Sequence, residues 1–484
     1  MDDSLDKQSV PERMLPADDR IGVAGPHSDC GPDRAPVTGR APRVVSPDTA
    51  SLSRPLATQP EPDLTRVGTP PRRAFLQRAA ALSGGLLAAT GAQSQSATGG
   101  NLPPAVPPWS QSLGAPILAH PYGQPSPFEA NVQRRESPGL TRTAHSSVSF
   151  TPLQNLFGII TPAGLHFERH HSGVPEIEPH LHRLMVHGMV KSPRIFTMDD
   201  VLRFPSVSRI HFIECGANTG MEWGNVAVPT VQYSHGMLGC SEWTGVLLST
   251  ILDELGIDPK AAYILAEGAD GAALTRTIPL QMAMDDVLVA YGQNGEMLRP
   301  EQGYPLRLVV PGVQGVSSVK WLRRIEVGDQ PWNTREESLH YVDLMPGGKH
   351  RQYTWIQEAK SVITSPSGGQ VVLDRGYHEI KGLAWSGRGR VKRVDVSTDG
   401  GRNWRPATLQ EPILPKALTR FRLDWKWDGS RALLQSRVMD DTGYVQPTIR
   451  QLREVRGTRS IYHNNMIQTW RLEPSGEVSN VQVL

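Results

Sequence analysis

Cys215 has the sequence surroundings of a metal-binding thiolate. It follows residues 209–214, which predict a strand, and precedes Gly216, Ala217 and Asn218. A cysteine at a strand end in an open loop can present its thiolate to a soft metal. A single cysteine cannot form a structural zinc site, which takes four ligands. On these residues alone, a small buried core cysteine is the commoner interpretation.

Short helices and strands surround this cysteine in the sequence. Residues 181–188, 209–214 and 306–310 predict strands, and residues 197–203 and 246–255 predict helices. These elements do not alternate in a regular βαβ order, so the pattern indicates an α+β domain rather than a doubly wound sheet.

The pattern changes after about residue 358. Residues 371–373, 377–384, 391–397, 421–427 and 433–439 are short apolar runs separated by turn residues. Asp399, Gly400 and Gly401 are typical of a hairpin turn. Short strands at this spacing predict an all-β sandwich.

Length and composition limit the possible functions. The 484 residues are too many for one compact core and indicate two domains. The 50 basic and 48 acidic residues nearly balance, so charge gives no reason to expect a nucleic-acid partner. The body of the chain has no run of about twenty apolar residues, so we expect no membrane span. The three cysteines, Cys30, Cys215 and Cys240, form neither a disulfide framework nor a Cys-x-x-Cys-His haem site.

The N-terminal segment is predicted to contain a signal for export. Residues 1–66 are polar and rich in proline, and we expect either a disordered extension or a stretch upstream of the true start, near Val67. Residues 67–97 contain Arg72 and Arg73 before a short apolar run, the pattern of a twin-arginine export signal. That route carries folded proteins, so we expect a periplasmic location. Residues 98–145 are predicted to be a loop-rich arm.

Four ordered motifs give the chain a family resemblance. Residues 213–223 resemble the molybdenum-ligand loop of the sulfite oxidase family, and residues 167–175 resemble its Phe-x-x-Arg-Asn-His loop. Residues 304–312 and 317–322 resemble the strand that ends at the pterin and the Val-Lys-Trp-Leu segment after it. The resemblance implies a molybdopterin-binding catalytic domain over residues 146–350. An immunoglobulin-like β-sandwich that pairs two subunits is implied over residues 351–484.

The resemblance also implies a cofactor and its ligands. Cys215 would bind the molybdenum, and Cys215 and Arg169 would be the catalytic residues. A phosphate on the cofactor suits a guanidinium and an ammonium, which Arg307 and Lys320 supply. The residues expected to bind molybdenum-molybdopterin are Phe167, Arg169, His170, His171, Cys215, Asn218, Asp270, Arg307, Ser317, Ser318 and Lys320.

The chain departs from the sulfite-oxidising members of the family. Thr219 and Gly220 stand where those members have arginines, and Leu274 is near the position of a tyrosine. Fewer cations should weaken the capture of free sulfite. With these departures, the sequence resembles the catalytic subunits of sulfane dehydrogenases of the Sox thiosulfate-oxidising system. That resemblance implies a carrier protein bearing a sulfane sulfur as substrate, and a separate c-type cytochrome subunit as electron acceptor, with no haem in this chain.

Other functions are compatible with the same residues. The main alternative is a sulfite dehydrogenase acting on free sulfite, in which Arg276 replaces the lost cations. A cofactor-free scaffold and a reductase on the same fold are further alternatives. Cys240 is interpreted as a buried small residue near Trp243.

Overall fold

The computed structural model describes Ser110, residues 113–136 and residues 143–481. The predicted extension, the export signal and Cys30 lie outside these residues. The described part of the predicted arm is mainly turns, with a 3-10 turn at Pro127–Glu129, a short strand at Arg135–Glu136 and the start of a 3-10 turn at Ala144–Ser146. Within the described part of the chain, no helix combines the length and the apolar character needed to cross a bilayer.

The first part of the described chain consists of short helices and strands that form small sheets. Its strands are β1 (Arg135–Glu136), β2 (Val148–Phe150), β3 (Glu168–Arg169), β4 (Leu184–Gly188), β5 (Arg194–Phe196), β6 (Ser206–Glu214), β7 (Leu238–Leu247), β8 (Tyr263–Gly268), β9 (Thr275–Pro279), β10 (Leu288–Gln293), β11 (Glu296–Met297), β12 (Arg307–Val309), β13 (Leu322–Gly328), β14 (Asp343–Leu344) and β15 (His350–Arg351). Its helices are α1 (Met198–Leu202), α2 (Val231–His235), α3 (Leu248–Leu255), α4 (Leu280–Ala283) and α5 (Arg335–Ser338).

The second part is a β-sandwich. Its strands are β16 (Lys360–Ser365), β17 (Gly376–Trp385), β18 (Val391–Ser397), β19 (Arg405–Pro406), β20 (Thr408–Leu409), β21 (Thr419–Trp427), β22 (Ala432–Asp440), β23 (Thr469–Leu472) and β24 (Val478–Val481), and it carries helix α6 (Ile449–Arg456). One sheet has the order β16-β17-β21-β20 and the other the order β19-β18-β22-β23-β24. Every pairing in both sheets is antiparallel, so the predicted α+β domain followed by a sandwich is confirmed.

Local sequence signals explain several of these elements. Thr197 caps α1 and forms a capping box with Asp200. Helix α3 buries Leu248, Ile251, Leu252 and Leu255, which share one helical face. The helix was expected from residue 246, but β7 continues through Leu247 before the helix begins.

One predicted strand is wrong. Residues 371–373 are not a strand, because Val371 forms only an isolated bridge with Glu477. The side chains of Val371 and Leu373 are 58% and 86% exposed, and within this run Val372 alone is buried in the core.

Three sheet arrangements bring the site segments together. A sheet of order β11-β10-β7-β6, with β12 also paired to β10, holds β6 and β12 in one sheet. A parallel bridge between Glu214 and Gln314 joins the end of β6 to the segment after β12. In the small sheet β1-β2-β3, Arg169 pairs with Val148. The sheet of order β5-β4-β13-β8-β9 supports these segments through a core shared with α1, α3 and α4.

The sandwich and the first part of the chain share a hydrophobic core. Trp385, Phe421 and Trp470 pack in one cluster with Phe212 of β6 and Cys240 of β7. Because Phe212 is three residues before Cys215, this shared core fixes the strand that leads into the candidate metal ligand.

Candidate active site

A cavity lined by both apolar and charged side chains opens at the end of β6. A concave, largely apolar site with a few convergent polar groups is typical of a site for a small molecule or cofactor. Most of the residues predicted to bind a cofactor line it, namely Phe167, Arg169, His170, His171, Cys215, Asp270, Arg307, Ser318 and Lys320. Side chains from sequence segments more than 150 residues apart therefore line the same cavity.

The loop that carries Cys215 is held by backbone hydrogen bonds. The Cys215 N–H donates to the carbonyl oxygen of Met237 at 3.0 Å, and the Asn218 N–H donates to the carbonyl oxygen of Cys215 at 2.9 Å. Burial raises the pKa of the Cys215 thiol, and the Ala217 N–H and the charge of Arg169 act in the opposite direction. A thiol in this position becomes a good ligand when a metal displaces its proton.

The carboxylate next to Cys215 is bound by residues of the sandwich. Lys360 Nζ lies 2.9 Å from Glu214 Oε1, and the Trp385 indole N–H donates to Glu214 Oε2 at 2.8 Å. Asn218 Nδ2 donates to Glu214 Oε1 at 2.9 Å. The side chains of Glu214 and Lys360 are each 2% exposed, so this is a buried ion pair between β6 and β16. The second domain thus fixes the residue that precedes the candidate metal ligand.

Asn218 does not line the cavity, although the sequence predicted a contact with the pterin. Its amide donates to Glu214 and to the carbonyl oxygen of His235, and its Oδ1 accepts the Met237 N–H. Its hydrogen-bonding groups are therefore used inside the protein, and Asn218 shapes the loop rather than facing a cofactor. Ser317 also falls outside the lining of this cavity, although its buried hydroxyl has no hydrogen-bond partner among the described residues.

Two largely buried cations face the cavity without a carboxylate partner. Arg307 donates to the carbonyl oxygens of Gln302 at 2.9 Å and Ser318 at 3.2 Å. Lys320 Nζ lies 3.1 Å from the carbonyl oxygen of Glu301 and 2.8 Å from His170 Nδ1. Neither forms an ion pair with any residue that the structure describes.

Burial acts on the ionisation of both cations. It lowers the pKa of Arg307 to about 9 and the pKa of Lys320 well below its usual value. Burying two cations beside neutral partners costs free energy unless an anion pairs with them. The end of the cavity formed by Arg307 and Lys320 therefore fits a phosphate or a similar group.

The histidines of the cavity are held in the neutral form by burial. Burial lowers the pKa of His166 to about 3 and that of His171 to about 4. His170 Nε2 lies 2.7 Å from Glu168 Oε2, so with Lys320 donating to Nδ1, the Nε2–H of His170 donates to Glu168. These rings can therefore offer fixed hydrogen-bond donors and acceptors to a polar ligand.

Arg276 does not supply the cavity with a replacement cation. Its side chain is completely buried, and Nη1 lies 3.4 Å from Glu337 Oε1 and donates to the carbonyl oxygen of Glu336 at 3.2 Å. Arg276 lies outside the cavity lining, whereas Leu274 contributes to it. Cys240 is also completely buried, and burial raises the pKa of its thiol to about 12, so its interpretation as a core residue is confirmed.

Sequence reasoning missed several lining residues, including His166, Gln302 and Tyr341. His166 is next to the Phe167 motif and Gln302 is close to the segment with Arg307, so wider motif boundaries would have included both. Tyr341 comes from the segment between the two domains and is signalled by no motif.

Comparisons with known proteins agree with this geometry. Residues 171–336 match the family model of the oxidoreductase molybdopterin binding domain. Residues 351–470 match the model of the Mo-co oxidoreductase dimerisation domain. Tyr341 thus lies between the two matches.

The similar proteins include sulfite oxidases and nitrate reductases. The chain is 34% identical over 330 residues to mitochondrial sulfite oxidase of Mus musculus, covering 63% of this chain and 60% of that protein. It is 33% identical over 315 residues to nitrate reductase [NADH] 2 of Phaseolus vulgaris, covering 57% of this chain and 35% of that protein. The chain therefore spans less than two thirds of the length of these relatives.

A solved structure matches over more of the chain. The crystal structure of the sulfane dehydrogenase SoxCD from Paracoccus pantotrophus aligns with a TM-score of 0.78 and 49% identity. The alignment covers 80% of this chain and 100% of that chain.

Proposed function

Because the chain belongs to the sulfite oxidase family of molybdopterin oxidoreductases, we propose that it is the molybdenum-binding subunit of a sulfane dehydrogenase. Its substrate would be a sulfane sulfur attached to a cysteine of a carrier protein, oxidised during thiosulfate oxidation. The match to a sulfane dehydrogenase at 49% identity over the whole of that chain supports this substrate over free sulfite.

The charge around Cys215 is the observation that carries the proposal. Arg169 lines the cavity and its charge lowers the pKa of Cys215, whereas Arg276 lies outside the cavity lining in an ion pair with Glu337. A small free dianion is captured best by several convergent cations. A neutral or monoanionic sulfur held on a protein arm needs less positive charge, because the arm supplies part of the binding energy.

The residues of the cavity fit the molybdenum-molybdopterin cofactor. Cys215 would bind the metal, and Arg307 and Lys320 would bind the phosphate. His170, His171, Asp270 and Ser318 would offer hydrogen bonds to the pterin. When bound, this cofactor supplies oxygen-atom transfer to sulfur, which takes two electrons from the substrate for each atom transferred. The protein would position the sulfur beside Arg169 and keep the site dry through its buried walls.

Three further parts of the proposal concern the surroundings of the enzyme. The dimerisation-domain match supports a homodimer formed through the sandwich. A c-type cytochrome subunit would accept the electrons, in agreement with the SoxCD match. Arg72 and Arg73 support export of the folded protein to the periplasm.

The proposal is tested by comparing two sulfur substrates. The protein is purified with any co-eluting cytochrome, and cytochrome reduction is measured with carrier-bound sulfane sulfur and with free sulfite. We expect about one molybdenum per chain and activity on the carrier-bound substrate. Cys215→Ser should abolish it, while Cys240→Ser, a matched change at a cysteine outside the cavity, should keep molybdenum and activity.

The main competing function predicts a different result. A sulfite dehydrogenase would turn over free sulfite rapidly and would not require the carrier. Arg169, a cation of the cavity that is not assigned to the phosphate and whose charge acts on Cys215, is the feature that favours this second candidate. Molybdenum-free protein purified from a host that makes the cofactor would contradict both functions.

A further inference from the structure

An ion pair joins the N-terminal arm (residues 98–145) to the wall of the cavity. Arg134, the residue before β1, forms an ion pair with Glu168 of β3. Its guanidinium also lies 3.4 Å from Glu301 Oε1 and donates to the carbonyl oxygen of His166 at 3.4 Å. Arg134 lies before residue 171, where the match to the molybdopterin domain begins, so that match does not cover these contacts.

The arm is fixed where it meets the wall. Strand β1, Arg135–Glu136, pairs with β2 in an antiparallel sheet, and the Gln232 amide donates to the carbonyl oxygen of Gln133 at 3.0 Å. The side chains of Arg134 and Glu168 are 22% and 21% exposed, so their ion pair is partly shielded from water. The arm therefore holds its guanidinium in a defined position against the carboxylate.

Hydrogen bonds connect this ion pair to the anion-binding end of the cavity. The Nε2–H of His170 donates to Glu168 Oε2 at 2.7 Å, and Lys320 Nζ donates to His170 Nδ1 at 2.8 Å. Lys320 lines the cavity together with Arg307. Glu168 is thus separated by one imidazole ring from the ammonium that is expected to bind the phosphate.

The carboxylates behind Lys320 have two effects on an anion in the cavity. Burial lowers the pKa of Lys320, and the charges of Glu168 and Glu301 act in the opposite direction, which helps the ammonium to keep its proton. The same two charges would repel a phosphate bound at Lys320. Arg134 contacts both carboxylates and adds a positive charge beside them. The charges of Lys320 and Arg307 are then left for the anion.

We propose that Arg134 is a positioning residue for the phosphate of the cofactor, because its charge neutralises the carboxylates behind Lys320. The N-terminal arm thereby takes part in holding the cofactor. This inference rests on the molybdopterin assignment in the proposed function and does not depend on the sulfur substrate.

The test measures how fast the holoenzyme loses its cofactor. Purified wild type and variants are dialysed at a fixed temperature, and the pterin that stays bound is measured by fluorescence over time, with the melting temperature recorded for each protein. Arg134→Gln removes the charge and Arg134→Lys keeps it. Arg135→Gln is the matched control, because it removes a charge from the exposed neighbour on β1.

We expect Arg134→Gln to lose pterin about fivefold faster than the wild type, since removing one charge beside a partly buried anion changes its binding by roughly this factor. Arg134→Lys and Arg135→Gln should lose pterin at the wild-type rate. Adding Glu168→Gln to Arg134→Gln restores the net charge, and the glutamine oxygen can still accept the His170 N–H. The double variant should therefore regain most of the retention.

The double variant separates an effect of charge from a loss of structure. A contact that only packed the arm against the wall would not be restored by a second change. The inference is wrong if Arg134→Lys or the double variant loses pterin as fast as Arg134→Gln, or if Arg134→Gln keeps its pterin as long as Arg135→Gln.

The outcome for the proposed function is separable from this one. Wild-type enzyme that holds its pterin but oxidises only free sulfite contradicts the sulfane dehydrogenase, and the dialysis result still decides the role of Arg134. Wild-type protein without pterin, purified from a host that makes the cofactor, would contradict the molybdopterin assignment and this inference with it.

Discussion

The ion pair between Lys360 and Glu214 gives a quantitative prediction about how the two domains share the active site. Lys360→Met removes the ammonium but keeps a side chain of similar length. Glu214 would then keep two neutral donors, the Asn218 amide at 2.9 Å and the Trp385 indole at 2.8 Å. Its carboxylate would stay buried at 2% exposure without a counter-charge.

The expected cost follows from this geometry. Breaking a buried ion pair by removing one partner destabilises a protein by about 3–5 kcal/mol. Adding Glu214→Gln to Lys360→Met removes the stranded charge, and the glutamine oxygen can still accept a hydrogen bond. The double variant should therefore be more stable than Lys360→Met, with a coupling of about 2 kcal/mol or more. Because Glu214 precedes Cys215, we also expect Lys360→Met to retain less molybdenum.

The assay is chemical denaturation followed by tryptophan fluorescence, with molybdenum measured after gel filtration. Lys416→Met is the matched control, because Lys416 Nζ lies 3.4 Å from the exposed Asp285 carboxylate. A surface pair of this kind contributes about 1 kcal/mol or less. The reasoning fails if Lys360→Met costs no more than Lys416→Met, or if the effects of the two single changes at Lys360 and Glu214 simply add.

Three further predictions concern the cavity walls. Burial lowers the pKa of His166 to about 3 in the folded protein, so between pH 6.5 and 3 the unfolded state binds one more proton than the folded state. The free energy of unfolding should therefore fall as the pH drops through that range. Urea titrations should show that the free energy of unfolding depends less on pH in His166→Phe. Arg307→Gln should retain at least about tenfold less pterin on dialysis, measured by pterin fluorescence, because a charged phosphate contact is lost. Gly315→Ala would place a Cβ 2.8 Å from the carbonyl oxygen of Glu214 and should cost about 1–3 kcal/mol, detected as a lower melting temperature.

Local periodicity was sufficient to predict many of the elements. The run at residues 391–397 is β18, and the helix expected at 197–203 is α1 with the predicted Thr197 cap. Such elements are recognisable because their apolar residues alternate or repeat along one face, and burial follows that pattern.

Strand β16 was not predicted from the sequence. Strand β16 begins with Lys360 and Ser361, both buried, because Glu214 and Gln446 provide partners from distant segments. A sequence pattern gives no sign that a lysine is paired inside the protein. The wrong strand at 371–373 is the opposite case, since two of its three apolar residues stay exposed.

Some residues of the candidate site could be predicted from the sequence and others could not. Cys215, Arg307 and Lys320 lie in contiguous motifs, and sequence resemblance located them in the segments that line the cavity. Asn218 belongs to the same loop, but its three hydrogen bonds turn its amide away from the cavity, and only the fold shows this. Tyr341 could not be predicted, because its place depends on a stacked ring more than 100 residues further along the chain.

These contacts explain why the sandwich cannot be separated from the chemistry of the first domain. Glu214, next to the candidate metal ligand, is neutralised by Lys360 of the sandwich. The phenol ring of Tyr341, which lines the cavity, stacks on Tyr462, which also comes from the second domain. A dimerisation domain that only joined subunits would need neither contact, since both involve buried residues of one chain. The second domain therefore positions the metal-binding loop and one wall of the substrate site, and changes in it should alter activity without altering the cofactor-binding residues themselves.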